Sequence, residues 1–338
     1  MTRRLSSGVA LALIPLFLIG VPRRIGAGDT PHVQAIPPAT GDSLVSFVSD
    51  TQSPIFIEEL ILPANHNGRA REMIYTRLLA DQPNGIFHLG DMIAIGFLGG
   101  TWKSTDRFLH RAAEANVPVF PTLGNHELMI FPTYGIEEFY DRFPWYSATG
   151  YAVRVGKLAV VLLNSNFDRM KARDKRIQMS WLDSTLVAFE SDTTVGAVFL
   201  CCHHPPYTNS TIVSPSQEVR ESFVPLYLRY PKCRLFITGH CHAFEHFHEG
   251  GKDFLVIGGG GGLQQPLLTG AERRWEDHFP LKTEKRMFHY LQCRLTGGGI
   301  ELTVRMINDE FSGFRSVYSL SFPWAPVAAP EALPPAPR

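Results

Sequence analysis

Five apolar runs in this chain stop at residues of cation-binding type, and no other feature restricts the fold as much. Asp50 closes the first as Ser49-Asp50-Thr51-Gln52, Asp91 follows the second in His88-Leu89-Gly90-Asp91, and Gly124-Asn125-His126-Glu127 follows the third. Cys202-His203-His204-Pro205-Pro206 ends a fourth run and Gly239-His240-Cys241-His242 a fifth. In open α/β sheets the carboxyl ends of the strands share one edge, so residues tens of positions apart converge on a single crevice. Asp50 or Asp91 alone would be explained as a helix cap, but that explanation would have to hold at five places together.

The runs fit such a sheet. Residues 44–49, 85–89 and 117–121 are apolar and separated by helical patterns at 69–80 and 105–115, a βαβ alternation that predicts parallel pairing. Residues 151–155 and 158–164 flank the Gly156-Lys157 turn and predict an antiparallel hairpin. A helix over 175–190 precedes strands at 195–202, 233–238 and 254–257, and a terminal meander covers 288–295, 300–307 and 314–320. The expected fold class is α/β, with two packed mixed β-sheets flanked by helices, in one domain over residues 43–322.

The ends of the chain read differently. Arg3 and Arg4 precede an uninterrupted apolar stretch at 9–21, and small residues follow at Gly26, Ala27 and Gly28, so residues 1–28 are expected to be an export signal that sends the protein to the periplasm or outside the cell. The stretch is short of the roughly 20 apolar residues a bilayer needs. The competing reading is an uncleaved membrane tether, because Arg23 and Arg24 intervene and no clean cleavage site is present. Residues 29–42 are expected to be a Pro/Ala-rich linker and 323–338 a Pro/Ala-rich tail. With 32 Lys+Arg against 32 Asp+Glu, scattered along the chain, no bulk charge draws it to nucleic acid. Cys201, Cys202, Cys233, Cys241 and Cys293 are too irregularly spaced for a disulfide framework and are expected to be small buried hydrophobes, Cys201 and Cys202 on opposite faces of a strand.

Carboxylate, amide and imidazole donors converging on one pocket suit Zn, Mn and Fe. In His240-x-His242, extended geometry would put both rings on one side and Cys241 on the other. Two divalent cations bring four positive charges, of which two Asp and a bridging hydroxide remove three. The remaining surplus attracts a phosphate oxyanion, as in two-metal displacement at phosphorus.

Over about residues 44–320 the chain resembles the calcineurin-like metallophosphoesterases, and within them the purple acid phosphatase branch, meeting their order Asp-x-His, Gly-Asp, Gly-Asn-His-(Asp/Glu), His, Gly-His-x-His with one exception. The resemblance implies a dinuclear-metal-dependent hydrolase of phosphoesters, mono- or diesters. One metal would be held by Asp50, Gln52, Asp91 and His242, the other by Asp91, Asn125, His203 and His240, with Asp91 bridging. The bridging hydroxide would attack phosphorus. His126 would contact the phosphoryl oxygen and act as general acid, and Glu127 would orient its imidazole. The first histidine before the prolines, His203 rather than His204, is the one such proteins use.

Two departures from the pattern matter. Gln52 stands where the family most often has His; a neutral amide oxygen is a weaker donor towards zinc-like metals and favours Mn or Fe. Ala94 stands where purple acid phosphatases have the tyrosine that gives their colour, so this protein is not expected to be purple. Gln52 also opens the alternative of a catalytically weak metal-binding or scaffold protein with the same fold, against which His126 argues. His88, His110, His246 and His248 are expected to be structural. Gly258 to Gly262 lacks the Lys-(Ser/Thr) of a nucleotide P-loop, leaving close backbone approach or loop flexibility.

Overall fold

The computed structural model describes residues 31–36 and 42–325. The segment expected to be an export signal and most of the tail lie outside the described residues. The strands are β1 (His32–Ile36), β2 (Ser43–Val48), β3 (Gly85–His88), β4 (Val119–Pro121), β5 (Tyr151–Val155), β6 (Leu158–Leu162), β7 (Ala197–Cys201), β8 (Cys233–Thr238), β9 (Phe244–Glu249), β10 (Lys252–Ile257), β11 (His289–Leu295), β12 (Gly299–Ile307) and β13 (Phe314–Pro323). The helices are α1 (Phe56–Glu59), α2 (Asn67–Ala80), α3 (Lys103–Glu114), α4 (Pro132–Arg142), α5 (Ala172–Ser191), α6 (Gln217–Ser222) and α7 (Val224–Arg229).

Among the described residues the strands form a seven-stranded sheet in the order β1-β5-β6-β7-β8-β10-β9 and a six-stranded sheet in the order β13-β12-β11-β2-β3-β4. The expected βαβ units are present, since β2 pairs with β3 and β3 with β4 in parallel. The 151–162 hairpin and the terminal meander are antiparallel.

Period-two side-chain alternation builds the layers. Val45, Phe47 and Phe87 of one sheet meet Val160, Phe199, Leu235 and Leu255 of the other in a shared core. Phe47 stacks on Phe87 at 5.0 Å between ring centroids. The intervening residues Val161, Val198, Leu200 and Phe236 face the opposite way and pack against Leu182, Leu186 and Phe189 of α5. On the far side of the six-stranded sheet, Val48 and Ile86 pack against Ile74 and Leu78 of α2 and Phe108 of α3. Cys201 joins the first of these clusters and Cys202 the second, and all five cysteines are free and buried.

Three segments differ from expectation. Residues 32–36, inside the stretch expected to be a linker, form an edge strand parallel to β5, which a short polar-apolar alternation next to prolines did not advertise. Strand β13 runs through Pro323, and Trp324 packs on the shared core with its indole N–H donating to the Thr296 carbonyl at 2.9 Å, so the fold extends past residue 322. Strand β9, with its Phe-Glu-His-Phe-His-Glu sequence, is built from titratable residues yet mostly buried beside β10.

Candidate metal centre

The centre sits where β2, β3, β7 and β8 end. Asp50, Asp91 and His240 occupy left-handed backbone, with φ of 59°, 54° and 65°. Such conformations cost a non-glycine residue about 1–3 kcal/mol and persist where the surroundings impose them. Hydrogen bonds impose them here. The Asp50 N–H donates to the Gly90 carbonyl at 3.0 Å, and the His240 N–H donates to the Asp50 carboxylate at 2.9 Å. Gly239 makes this approach feasible, because a Cβ there would lie 2.0 Å from Ser49 Oγ. The 239–242 stretch is therefore a bend and not the extended segment expected, and its two histidines serve different groups.

Those groups are Asp50, Asp91 and His242, and His203, His204 and His240, in each of which the donor atoms lie within 4.8 Å of one another. Asp91 belongs to the first and reaches the second, its Oδ2 being 3.1 Å from His203 Nε2. Asn125 Oδ1 is also 3.1 Å from His203 Nε2. The Gln52 amide satisfies its neighbours with Nε2 donating to the carbonyls of Asp91 and Asp50 at 3.1 and 3.2 Å, which leaves Oε1 facing His242 Nε2 at 3.1 Å. Every residue expected as a metal ligand is thus in one cluster, buried except for the half-buried Asn125 and His240. His204, which the sequence left aside, lies among them with its ring 4.6 Å from that of His240 and its Nδ1 2.9 Å from Ser165 Oγ.

The donor set fits cations on a physical test. The Nδ1 of His203 is 2.8 Å from the Leu89 carbonyl and that of His242 is 2.7 Å from the Leu263 carbonyl, so each Nδ1 carries the proton and each Nε2 presents a lone pair. These lone pairs point at the oxygens of Asn125, Asp91, Gln52 and Asp50, so acceptors face acceptors unless a positive charge lies between. A proton supplies it in the bare protein: burial opposes charge on His203, but Asp91 and Asp50 override it and lift the imidazole to about 10. Burial would likewise raise the Asp91 carboxyl, yet His203 and His126 hold it well below the usual carboxylate range. Burial pushes His204 down to about 3, with His203 adding to the effect.

His126 stands beside the cluster. Its Nδ1 is 2.6 Å from the Ala94 carbonyl, and its Nε2 lies 3.9 Å from Asp91 Oδ2 and 3.6 Å from Glu58 Oε1. The expectation that Glu127 orients this ring is corrected. Both Glu127 oxygens are taken by backbone N–H groups, from Asp91 at 2.9 Å, Gly124 at 2.7 Å and Met92 at 2.7 Å. The Ala94 carbonyl fixes the ring instead. Burial and the neighbouring Asp91 push the Glu127 carboxyl up to about 7.

Glu58 was missed because two adjacent acids in a four-residue surface helix carry no spacing signal. The glycine run is explained by close approach: a Cβ at Gly258 would lie 2.1 Å from the Cys241 carbonyl oxygen, and one at Gly262 would lie 2.5 Å from the His242 ring. His88 bonds Thr51 Oγ1 at 2.9 Å, and His246 and His248 share Asp253 at 3.0 and 2.9 Å, as structural histidines do.

The calcineurin-like phosphoesterase family model matches residues 44–244, which contain every candidate ligand named above. The chain belongs to the calcineurin-like phosphoesterases. Two solved structures have similar folds at low identity. GAP50, described as the anchor in the inner membrane complex of Plasmodium, is 14% identical with a TM-score of 0.57, over 85% of this chain and 90% of that one. The purple acid phosphatase PPD1 from yellow lupin (Lupinus luteus) seeds is 14% identical with a TM-score of 0.58, over 87% of this chain and 57% of that one. Comparison with curated proteins gives no match. As a member of the family, this phosphoesterase is metal-dependent and binds a dinuclear centre.

Proposed function

We propose that this phosphoesterase hydrolyses phosphoesters with His126 as the general acid, and the observation that carries the reading is the position of that ring. Two bound cations would supply Lewis acidity towards the phosphoryl oxygens and an activated water. Asp50, Gln52, Asp91 and His242 would hold one, and Asp91, Asn125, His203 and His240 the other. The amide oxygen of Gln52 favours Mn or Fe over Zn at the first position. Ala94 holds Nδ1 of His126, so Nε2 is the atom that delivers a proton to the departing oxygen. Asp91, beside that atom, and its neighbour His203 are buried.

His126→Ala tests the reading on a series of aryl and alkyl phosphates. General acid help is worth about 10²–10⁴-fold in rate. Activity is expected to fall on that scale for poor leaving groups and less for acidic ones, with metal content unchanged. Equal loss across the series would remove His126 from the acid role. An inactive wild-type protein that still binds metal would favour the scaffold alternative that Gln52 raises.

A further inference from the structure

Two apolar surfaces that the fold leaves facing outward meet at His126. On one side, α1 brings Glu58 Oε1 to 3.6 Å from His126 Nε2, and Phe56, Ile57, Leu60 and Ile61 of the same helix and turn are 67–75% exposed. On the other, the His126 carbonyl accepts the N–H groups of Gly96 at 2.9 Å and Met129 at 3.4 Å, and beside them Phe97 packs on Phe131 at 4.8 Å. Ile130 and Phe131 are 61% and 51% exposed there. Scattered exposed apolar residues are ordinary, but six large ones grouped about one buried histidine mark a surface that something covers.

Strand register shows what else reaches this edge. His32 pairs with Tyr151, Tyr151 with Leu162, and Leu162 with Cys201, so the first residue of β1 lies in the row where β7 ends, two residues before His203. Pro31, the first described residue, therefore stands at the edge that holds the candidate metal ligands, and the sequence before it includes the apolar stretch 9–21. Residues 54–62 carry Glu58 and Glu59 and no basic residue, so attraction to anionic headgroups is not the force available. Insertion of apolar side chains into the interface of a bilayer is. Among the described residues no helix is long and apolar enough to cross a membrane, and the docking concerned is to its surface.

We infer that the metal-site edge docks on a lipid bilayer through this collar, and that the substrates are phosphoesters of membrane lipids. The substrate half rests on the phosphoesterase reading above; the docking half does not. The five native cysteines are buried, so single variants Leu60→Cys, Phe131→Cys and Val187→Cys of the full chain accept an environment-sensitive fluorophore selectively. Val187, on α5, is the remote control. Phosphatidylcholine vesicles should blue-shift the label at positions 60 and 131 and leave it unchanged at 187. No shift at 60 and 131, an equal shift at 187, or a label already shielded without lipid would overturn the docking, the last showing that a second copy or the chain's own segment covers the face. The quadruple variant Phe56→Ser, Ile57→Ser, Leu60→Ser, Ile61→Ser then tests the substrate. Hydrolysis of phosphatidate mixed into phosphatidylcholine vesicles should fall about tenfold or more relative to hydrolysis of a soluble aryl phosphate. Parallel loss on both, or loss on neither, would contradict a lipid substrate, whereas a wild type inactive on both would refute the phosphoesterase reading and leave the fluorescence result standing.

Discussion

Glu127 accepts the backbone N–H of Asp91 at 2.9 Å, and the same oxygen accepts that of Gly124 at 2.7 Å. One carboxylate thereby joins the loops after β3 and β4, which carry the proposed metal ligands Asp91 and Asn125. Glu127→Gln leaves a single acceptor oxygen for three backbone donors and turns an amide N–H₂ against one of them. A buried unsatisfied donor costs about 1–3 kcal/mol, so the variant is expected to lose stability on that scale together with metal. Denaturant titration and elemental analysis on the same samples check it. Retained stability and metal with loss of turnover alone would instead return Glu127 to the ring-orienting role.

Gly239→Ala should damage the centre without altering any ligand. Its Cβ would fall 2.0 Å from Ser49 Oγ and 2.5 Å from Asp50 Oδ2, atoms held in the core with nowhere to retreat. Overpacking of this kind costs about 1–3 kcal/mol, and the displaced Asp50 should release metal. Gly68→Ala is the companion, since nothing lies within 4 Å of its Cβ and it sits in α2. That change is expected to be neutral or stabilising by up to about 1 kcal/mol. Thermal unfolding of the two variants side by side decides whether close approach or glycine as such matters.

Stability should carry a pH signature from Glu245. Burial pushes its carboxyl from 4.5 up to about 7, although Thr208 Oγ1 and the Asn209 N–H donate to it. A carboxyl raised on folding contributes stability that is complete below pH 4.5 and is lost as pH rises through about 7. The stability of wild type relative to Glu245→Gln should therefore decline by at most about 3 kcal/mol over that window and stay level above it. Chemical denaturation at several pH values across the window measures the difference. A gap that widens with pH would reverse the sign and exclude this origin.

The fold was legible where side-chain period and motif agree. Val45, Phe47 and Phe87 alternate with residues of the opposite face, and the polar residues closing those strands pointed to one edge, where the candidate ligands implied by the family resemblance do come together. The edge strand at 32–36 was not legible, because its partner Tyr151 lies far along the chain and its own composition resembles a linker. Nor was the partner of Glu127: adjacency to His126 suggested the ring, whereas the tight turn sends the carboxylate inward to backbone N–H groups that carry no sequence signature. The left-handed bend at His240 escaped for the same reason. Glu58 could be found only in three dimensions.

If Asp91 joins two cation positions, metal stoichiometry reads that bridge without passing through turnover. Protein prepared without chelator in metal-supplemented medium is analysed as wild type, Gln52→Ala and Asp91→Asn. Wild type should hold about two equivalents per chain, Gln52→Ala should keep the second position while weakening the first, and Asp91→Asn should lose most of both. A wild-type value near zero, or Gln52→Ala losing more metal than Asp91→Asn, would contradict a shared centre built on Asp91.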